Sequence, residues 1–145
     1  MDLASAARHL SRPFTLASAE DCARLPIAAH GLIGDGFTAA LVGVDGAIDW
    51  LCLPRFDSPS VFARILDRRG GELAVRPARF PFDSVQAYDP DTNVLETLFR
   101  GAGGAVRVTD SMPWTDHPPA SIHEVHRRVD CLGGGDEGLV EITEE

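Results

Sequence analysis

The sequence predicts a mainly β protein, an antiparallel β-sandwich with one short helix. Three observations carry this. Turn-forming residues recur every eight to twelve positions, with short β-prone runs between them. In residues 105–110 Val106 and Val108 fall on one side and Arg107 and Thr109 on the other, the period of two of a half-buried strand. Helical spacing is clear in a single short stretch, after Ser58-Pro59.

Residues 1–25 are rich in Ala and Ser and read as an N-terminal extension, ordered only if it docks. Within it, residues 4–10 could form a short helix. The domain proper is expected over residues 26–145. Glycines at 31, 34 and 36 mark turns or close backbone approach. Gly34-Asp35-Gly36 is not a dinucleotide fingerprint, because the third glycine is missing and a strand pattern follows.

Residues 38–44 and 47–53 are two β-prone runs separated by Asp45-Gly46. Asp-Gly in that setting predicts a hairpin with a type I′ turn, which needs positive φ at both central positions. Pro54 stops the second run, since proline cannot donate to a ladder. Ser58 then reads as an N-cap and Pro59 as the first helical residue. Val61, Phe62, Ile65 and Leu66 form one apolar helical stripe, ended by Gly70-Gly71.

Further strands are expected over residues 72–76, 84–88, 93–100, 105–110, 122–131 and 139–143. Pro90-Asp91 and residues 101–104 are turns, and Phe80 and Phe82 cap the core from a proline-containing connection. In the 122–131 strand Val125, Val129 and Cys131 should face one way. Residues 112–120 form a proline-rich loop. Trp114 reads as its anchor, with an exposed binding aromatic as the alternative. Because the last strand stops two residues before Glu145, the domain is expected to be incomplete or only just complete there.

A length of 145 residues suits one domain with its own core. The net charge of −9 argues against a nucleic-acid partner and against an electrostatic membrane anchor. Residues 1–14 lack a continuous apolar segment, so no signal peptide is expected, and no apolar run is long enough to span a membrane. Cys22, Cys52 and Cys131 have neither disulfide nor zinc spacing, which favours reduced thiols and a cytoplasmic location. Cys52 should be a small buried hydrophobe. His30, His117, His123 and His126 form no metal set and read as solvent-facing. No metal or cofactor is expected.

The block GLIGDGFTAALVGVDGAIDWLCLPRFDSPSVFARILD, residues 31–67, resembles the N-terminal signature of bacterial and archaeal glucoamylase/trehalase-like proteins of glycoside hydrolase family 15. YDPDTNVLET, residues 88–97, and VRVTDSMP, residues 106–113, resemble later blocks of the same domain. The resemblance implies a supersandwich-like N-terminal domain that precedes a catalytic (α/α)6 barrel. It also implies an inverting hydrolysis of α-glucosidic bonds, glucoamylase or trehalase in specificity, by two glutamates of that barrel. Nothing in this chain resembles the barrel, so no catalytic acid or base is assigned here and the chain alone is expected to be inactive.

Pro54-Arg55-Phe56-Asp57-Ser58 is the most suggestive segment. Arg55 and Asp57 are good partners for sugar hydroxyls, and Trp50 or Phe56 could stack on a pyranose. These four residues are the candidate contacts with the edge of the substrate site or with the barrel. The structural alternative pairs Arg55 with Asp57 and buries the aromatics. Two other functions are weighed: a stand-alone carbohydrate-binding module, and a protein that associates with partners or copies of itself through an unpaired C-terminal strand.

Overall fold

The computed structural model describes residues 13–114, 116, 122–133 and 140–144, the last five by their backbone alone. Two antiparallel sheets face each other. One has the order β1-β7-β8-β9-β10 and the other β11-β6-β4-β3-β2, with β5 added on β4. In chain order these are β1 (Phe14–Leu16), α1 (Ala19–Cys22), a 3₁₀ turn (Ile27–Ala29), β2 (His30–Gly34), β3 (Ala39–Gly43), β4 (Ala47–Cys52) and β5 (Ser60–Phe62). Then come β6 (Leu73–Pro77), β7 (Phe82–Tyr88), β8 (Leu95–Gly101), β9 (Gly104–Ser111), β10 (His126–Gly133) and β11 (Val140–Glu144). The β-sandwich expected from the alternating runs is the fold observed.

Two apolar clusters fill the space between the sheets. Ile33, Ala40, Val42, Ile48, Leu51, Leu95 and Met112 form one. Leu16, Cys22, Val75, Phe82, Phe99 and Val108 form the other, where Phe82 meets Phe99 edge to face at 5.6 Å. Val106 and Val108 of β9 point inward as their spacing predicts. Cys52 is buried, and Phe80 stacks on the buried Phe82.

The segment read as an N-terminal extension is partly built into this core. β1 pairs with β7, and Leu16 and Cys22 are buried in the second cluster. A short helix, α1, forms within it, and the helix expected over residues 4–10 lies outside the described residues. Asp21 closes the start of α1 by accepting the Ser18 backbone N–H at 3.0 Å.

The helix expected after Pro59 is not formed. Residues 60–62 instead pair with β4, Phe62 opposite Leu51 and Ser60 opposite Cys52. Only a tight turn follows, with Leu66 N–H donating to Ala63 at 2.9 Å. The apolar stripe has no surface to bury against, since Leu66 is 81% exposed and Val61 half-exposed. Phe62 packs on the first cluster from a strand, and that contact outweighs a short helix with costly nucleation. Ser58 turns back to accept the Arg55 N–H rather than capping a helix.

The β3–β4 hairpin forms where Asp-Gly predicts it, but with another turn. Gly43 ends β3 and Ala47 opens β4, leaving a three-residue loop of Val44, Asp45 and Gly46. Gly46 N–H donates to Gly43 at 2.9 Å, and of the three only Gly46 has positive φ, +82°. A left-handed residue closing a three-residue loop replaces the type I′ pair. The reason is Asp45, whose side chain caps the Ala47 N–H and points inward to two arginines.

β10 also departs from its expected burial. Val125 does pack against the first cluster, yet Val129 is 40% exposed and Cys131 is exposed. The buried side chain on that strand is Arg127, whose partner across the ladder is the fully buried Asp110.

Candidate functional site

At one end of the sandwich the loop 34–38 and the loop 53–59 lie side by side. Asp35 builds the first. Its Oδ1 accepts the N–H groups of Phe37 and Thr38, both at 2.9 Å, and its Oδ2 lies 2.5 Å from His123 Nδ1. Burial works against ionisation of Asp35, but the His123 bond and the two backbone donors outweigh it and hold the carboxyl below its usual range. The Phe37 ring meets the His123 ring edge to face at 5.5 Å. Thr38 Oγ1 donates to the Cys52 carbonyl, tying this loop to the end of β4.

The second loop leaves β4 through a cis Leu53-Pro54 bond. Phe56 N–H donates to the Phe37 carbonyl at 3.2 Å, which joins the two loops. Arg55 Nε donates to Asp57 Oδ1 at 2.9 Å, with both side chains about 70% exposed (69% and 73%). That pairing holds the Asp57 carboxyl below its usual range. Trp50, half-buried at the end of β4, lies 6.0 Å from Phe56, which is 56% exposed. Trp114 is 68% exposed and lies over Gly36. Gly36 has φ +88°, and a Cβ there would touch the indole at 3.4 Å.

Of the four candidate residues, Arg55 and Asp57 pair with each other, as the structural alternative had it. Trp50 and Phe56 form a contact of their own, and Phe56 remains open to solvent. What converges here is a fixed rim with Phe56, Trp114 and the Arg55–Asp57 pair on its surface. It is chemically suited to contact and recognition.

Sequence reading missed the buried charges. Asp35, Asp45, Asp49 and Asp110 are all nearly inaccessible. Asp45 Oδ2 accepts from Arg64 Nη2 at 3.0 Å and Arg76 Nη1 at 2.9 Å. Glu72 binds Arg76 at 2.8 Å, and its other oxygen lies 2.9 Å from Arg64 without hydrogen-bond alignment. Arg64 and Arg76 stay charged, since the carboxylates around them outweigh the burial that opposes it. One signal was available. The chain has 13 basic side chains and all are arginine, the residue suited to buried, forked carboxylate pairing.

His30, expected at the surface, is buried between Asp49 and Pro26. Its Nε2 lies 2.8 Å from Asp49 Oδ2 and its Nδ1 3.0 Å from the Pro26 carbonyl. A carbonyl and a carboxylate on opposite sides favour the doubly protonated ring. Burial alone would lower its pKa, but the Asp49 bond and charge overcome it and raise the pKa above the ordinary histidine value. A raised pKa contributes stability that is full below the unfolded value, about 6.5, and is lost as pH rises through the folded value. The urea midpoint of the wild type relative to His30→Gln is therefore expected to be larger at pH 6 than at pH 9. Equal differences at the two pH values would show the ring to be neutral.

Asp45, Asp49 and Asp110 thus each have an arginine partner, and Asp35 is bonded to His123. Burial pushes the Cys22 thiol up to about 11, so it is protonated and inert. Among the described residues no three His, Cys, Asp or Glu are placed to hold a metal ion. No helix among them is long and apolar enough to cross a membrane.

The fold and this rim define a class, a β-sandwich with an exposed loop end fixed from beneath by hydrogen bonds. Comparison with known proteins makes it particular. The family described as "Trehalase-like, N-terminal" matches residues 19–142, and the chain belongs to it. A trehalase of Thermoplasma volcanium is 44% identical over 110 residues, covering 71% of this chain and 17% of that protein. Trehalase 1 of Sulfolobus acidocaldarius is 47% identical over 83 residues, 57% of this chain and 14% of that protein. A trehalase of Mycolicibacterium smegmatis is 38% identical over 107 residues, 72% of this chain and 16% of that protein. The chain therefore aligns with about one sixth of the length of these relatives. No solved structure matches it.

Proposed function

We propose that the chain is the non-catalytic N-terminal domain of a cytoplasmic glucoamylase/trehalase-like hydrolase of glycoside hydrolase family 15. Its catalytic partner is an (α/α)6 barrel, in cis or from an adjacent reading frame, that cleaves trehalose or a related α-glucoside without a cofactor supplied here. The loop end of the sandwich faces that barrel, and Arg55, Phe56 and Asp57 border the sugar site, with Trp50 behind them. The observation that carries this is the contrast between two sets of charges. The inner carboxylates are committed to arginines, whereas Arg55 and Asp57 stand exposed on a loop that backbone bonds hold in place.

Two assays test it. The 145-residue chain alone is expected not to hydrolyse trehalose or maltose, and enzyme-like turnover would reject the non-catalytic role. In a trehalase that carries this domain, Asp57→Ala is expected to lower kcat/KM about tenfold or more, as loss of a charge-assisted hydrogen bond does. The melting temperature should be unchanged, because both side chains are exposed. Unchanged kinetics would remove this loop from the substrate's surroundings.

The exposure of Trp114 and Phe56 favours a second reading, a sugar-binding surface that works without the barrel. Saturable quenching of tryptophan fluorescence by trehalose or maltooligosaccharides, using the isolated chain, would support it.

A further inference from the structure

The block YDPDTN, residues 88–93, is used by neither reading above, and its position is unusual. Among the described residues β2 is an edge strand, paired with β3 alone. Asp35 N–H donates to the Thr38 carbonyl, which sets the alternation along this ladder. Ile33 and Gly31 therefore bond β3, while Leu32 and Gly34 turn their backbone groups outward. Such groups are a template for another chain. Here both Leu32 groups and the Gly34 carbonyl are occupied. The Tyr88 hydroxyl accepts the Leu32 N–H at 2.8 Å and donates to the Leu32 carbonyl at 2.7 Å. Asn93 Nδ2 donates to the Gly34 carbonyl at 2.9 Å. His30 N–H, the next outward donor, is taken by Ile27.

The holder is rigid. Asp89 N–H donates to Val94 at 2.9 Å across the β7–β8 turn, Thr92 Oγ1 donates to the Asp89 carbonyl, and Val94 N–H donates to Thr92 Oγ1. Asp91 supports the turn with φ +60°. Gly31 lets β2 approach, because a Cβ there would fall 2.5 Å from Leu95.

We propose that Tyr88 and Asn93 form a clasp that closes the β2 edge against a second copy of this chain. A second copy is the occupant because the edge is self-complementary. Antiparallel pairing about a two-fold axis at Leu32 lets each Leu32 N–H reach the other Leu32 carbonyl, and the Leu32 side chain, 48% exposed, gains an apolar partner. The clasp supplies the same donor and acceptor from within one chain, so the edge stays shut at any concentration.

The test is Tyr88→Phe in the 145-residue chain, which keeps the ring and removes the hydroxyl. At concentrations too low for pairing, amide exchange at Leu32 is expected to quicken about two- to tenfold, the scale of one hydrogen bond. Sedimentation should show a dimer that grows with concentration and disappears in Tyr88→Phe/Leu32→Lys, where two charges would face each other. Asn93→Ala, which frees the Gly34 carbonyl, should show a weaker form of both effects and serves if Tyr88→Phe does not fold. Unchanged exchange at Leu32, a strict monomer, or a dimer indifferent to Leu32→Lys would each overturn the proposal.

Discussion

Arg127→Met is expected to cost about 3–5 kcal/mol, the penalty for breaking a buried ion pair from one side. Arg127 Nε and Nη2 hold Asp110 at 2.7 and 3.2 Å, while Nη1 and Nη2 donate to the carbonyls of Leu73 and Gly46 at 2.7 and 2.8 Å. One guanidinium thus ties β10 of one sheet to β6 and the β3–β4 turn of the other. Asp110 is wholly buried, and burial outweighs the arginine in pushing its carboxyl above the usual range. An acid whose folded pKa is raised loses stability as pH rises through that value. Without Arg127 the carboxyl should hold its proton more tightly, so the loss in Arg127→Met should be larger at pH 7 than at pH 4. The double variant Arg127→Met/Asp110→Leu should recover part of it, but not all, since the Leu73 carbonyl loses its arginine donor and the Gly46 carbonyl keeps only the Val75 N–H. Urea denaturation of the three variants at both pH values is the measurement. A loss of less than about 1 kcal/mol for Arg127→Met would mean that the bridge is not formed.

Gly46→Ala should cost about 2–5 kcal/mol, from positive φ together with overpacking. A Cβ at Gly46 would lie 2.1 Å from the Val75 carbonyl oxygen and 2.9 Å from Phe99 Cζ. Neither neighbour can yield easily. Val75 N–H is bonded to Gly46 at 3.1 Å, and Phe99 is locked in the second cluster. Against the usual 5–15 kcal/mol of a domain, such a loss removes a large part of the stability and lowers the melting temperature well beyond a few degrees. A thermal melt within a few degrees of the wild type would show that the β3–β4 turn can be rebuilt without a left-handed glycine.

Much of the architecture was legible because a half-buried strand writes its own period. The hairpin at Asp45-Gly46, the pair 93–100 and 105–110, and the inward Val106 and Val108 all follow from alternation and turn chemistry. The failures share one cause. Residues 58–66 have local helix signals, a cap, a proline and an apolar stripe, but β4 offered Phe62 a ladder and a core contact that a local rule does not see. The same holds for residues 14–22, whose burial depends on partners more than fifty positions away.

The candidate site was legible only as a segment. Arg55, Phe56 and Asp57 stood out by type, yet their contact with Phe37 depends on two loops meeting at the end of the sandwich. The clasp at Tyr88 and Asn93 has no local signal at all.

From residue order alone came the fold class, the family resemblance and the expectation that bond cleavage needs residues outside this chain. The fold class depends on periodicity and turn chemistry, which act between neighbours in sequence, and the other two rest on the resemblance of residues 31–67, 88–97 and 106–113. Tertiary structure alone decided which aspartates lose water, which arginines follow them inward, and which strand edge is closed. Those outcomes rest on burial and on distances between segments far apart in the chain, where the cost of an unpaired charge or backbone group is set.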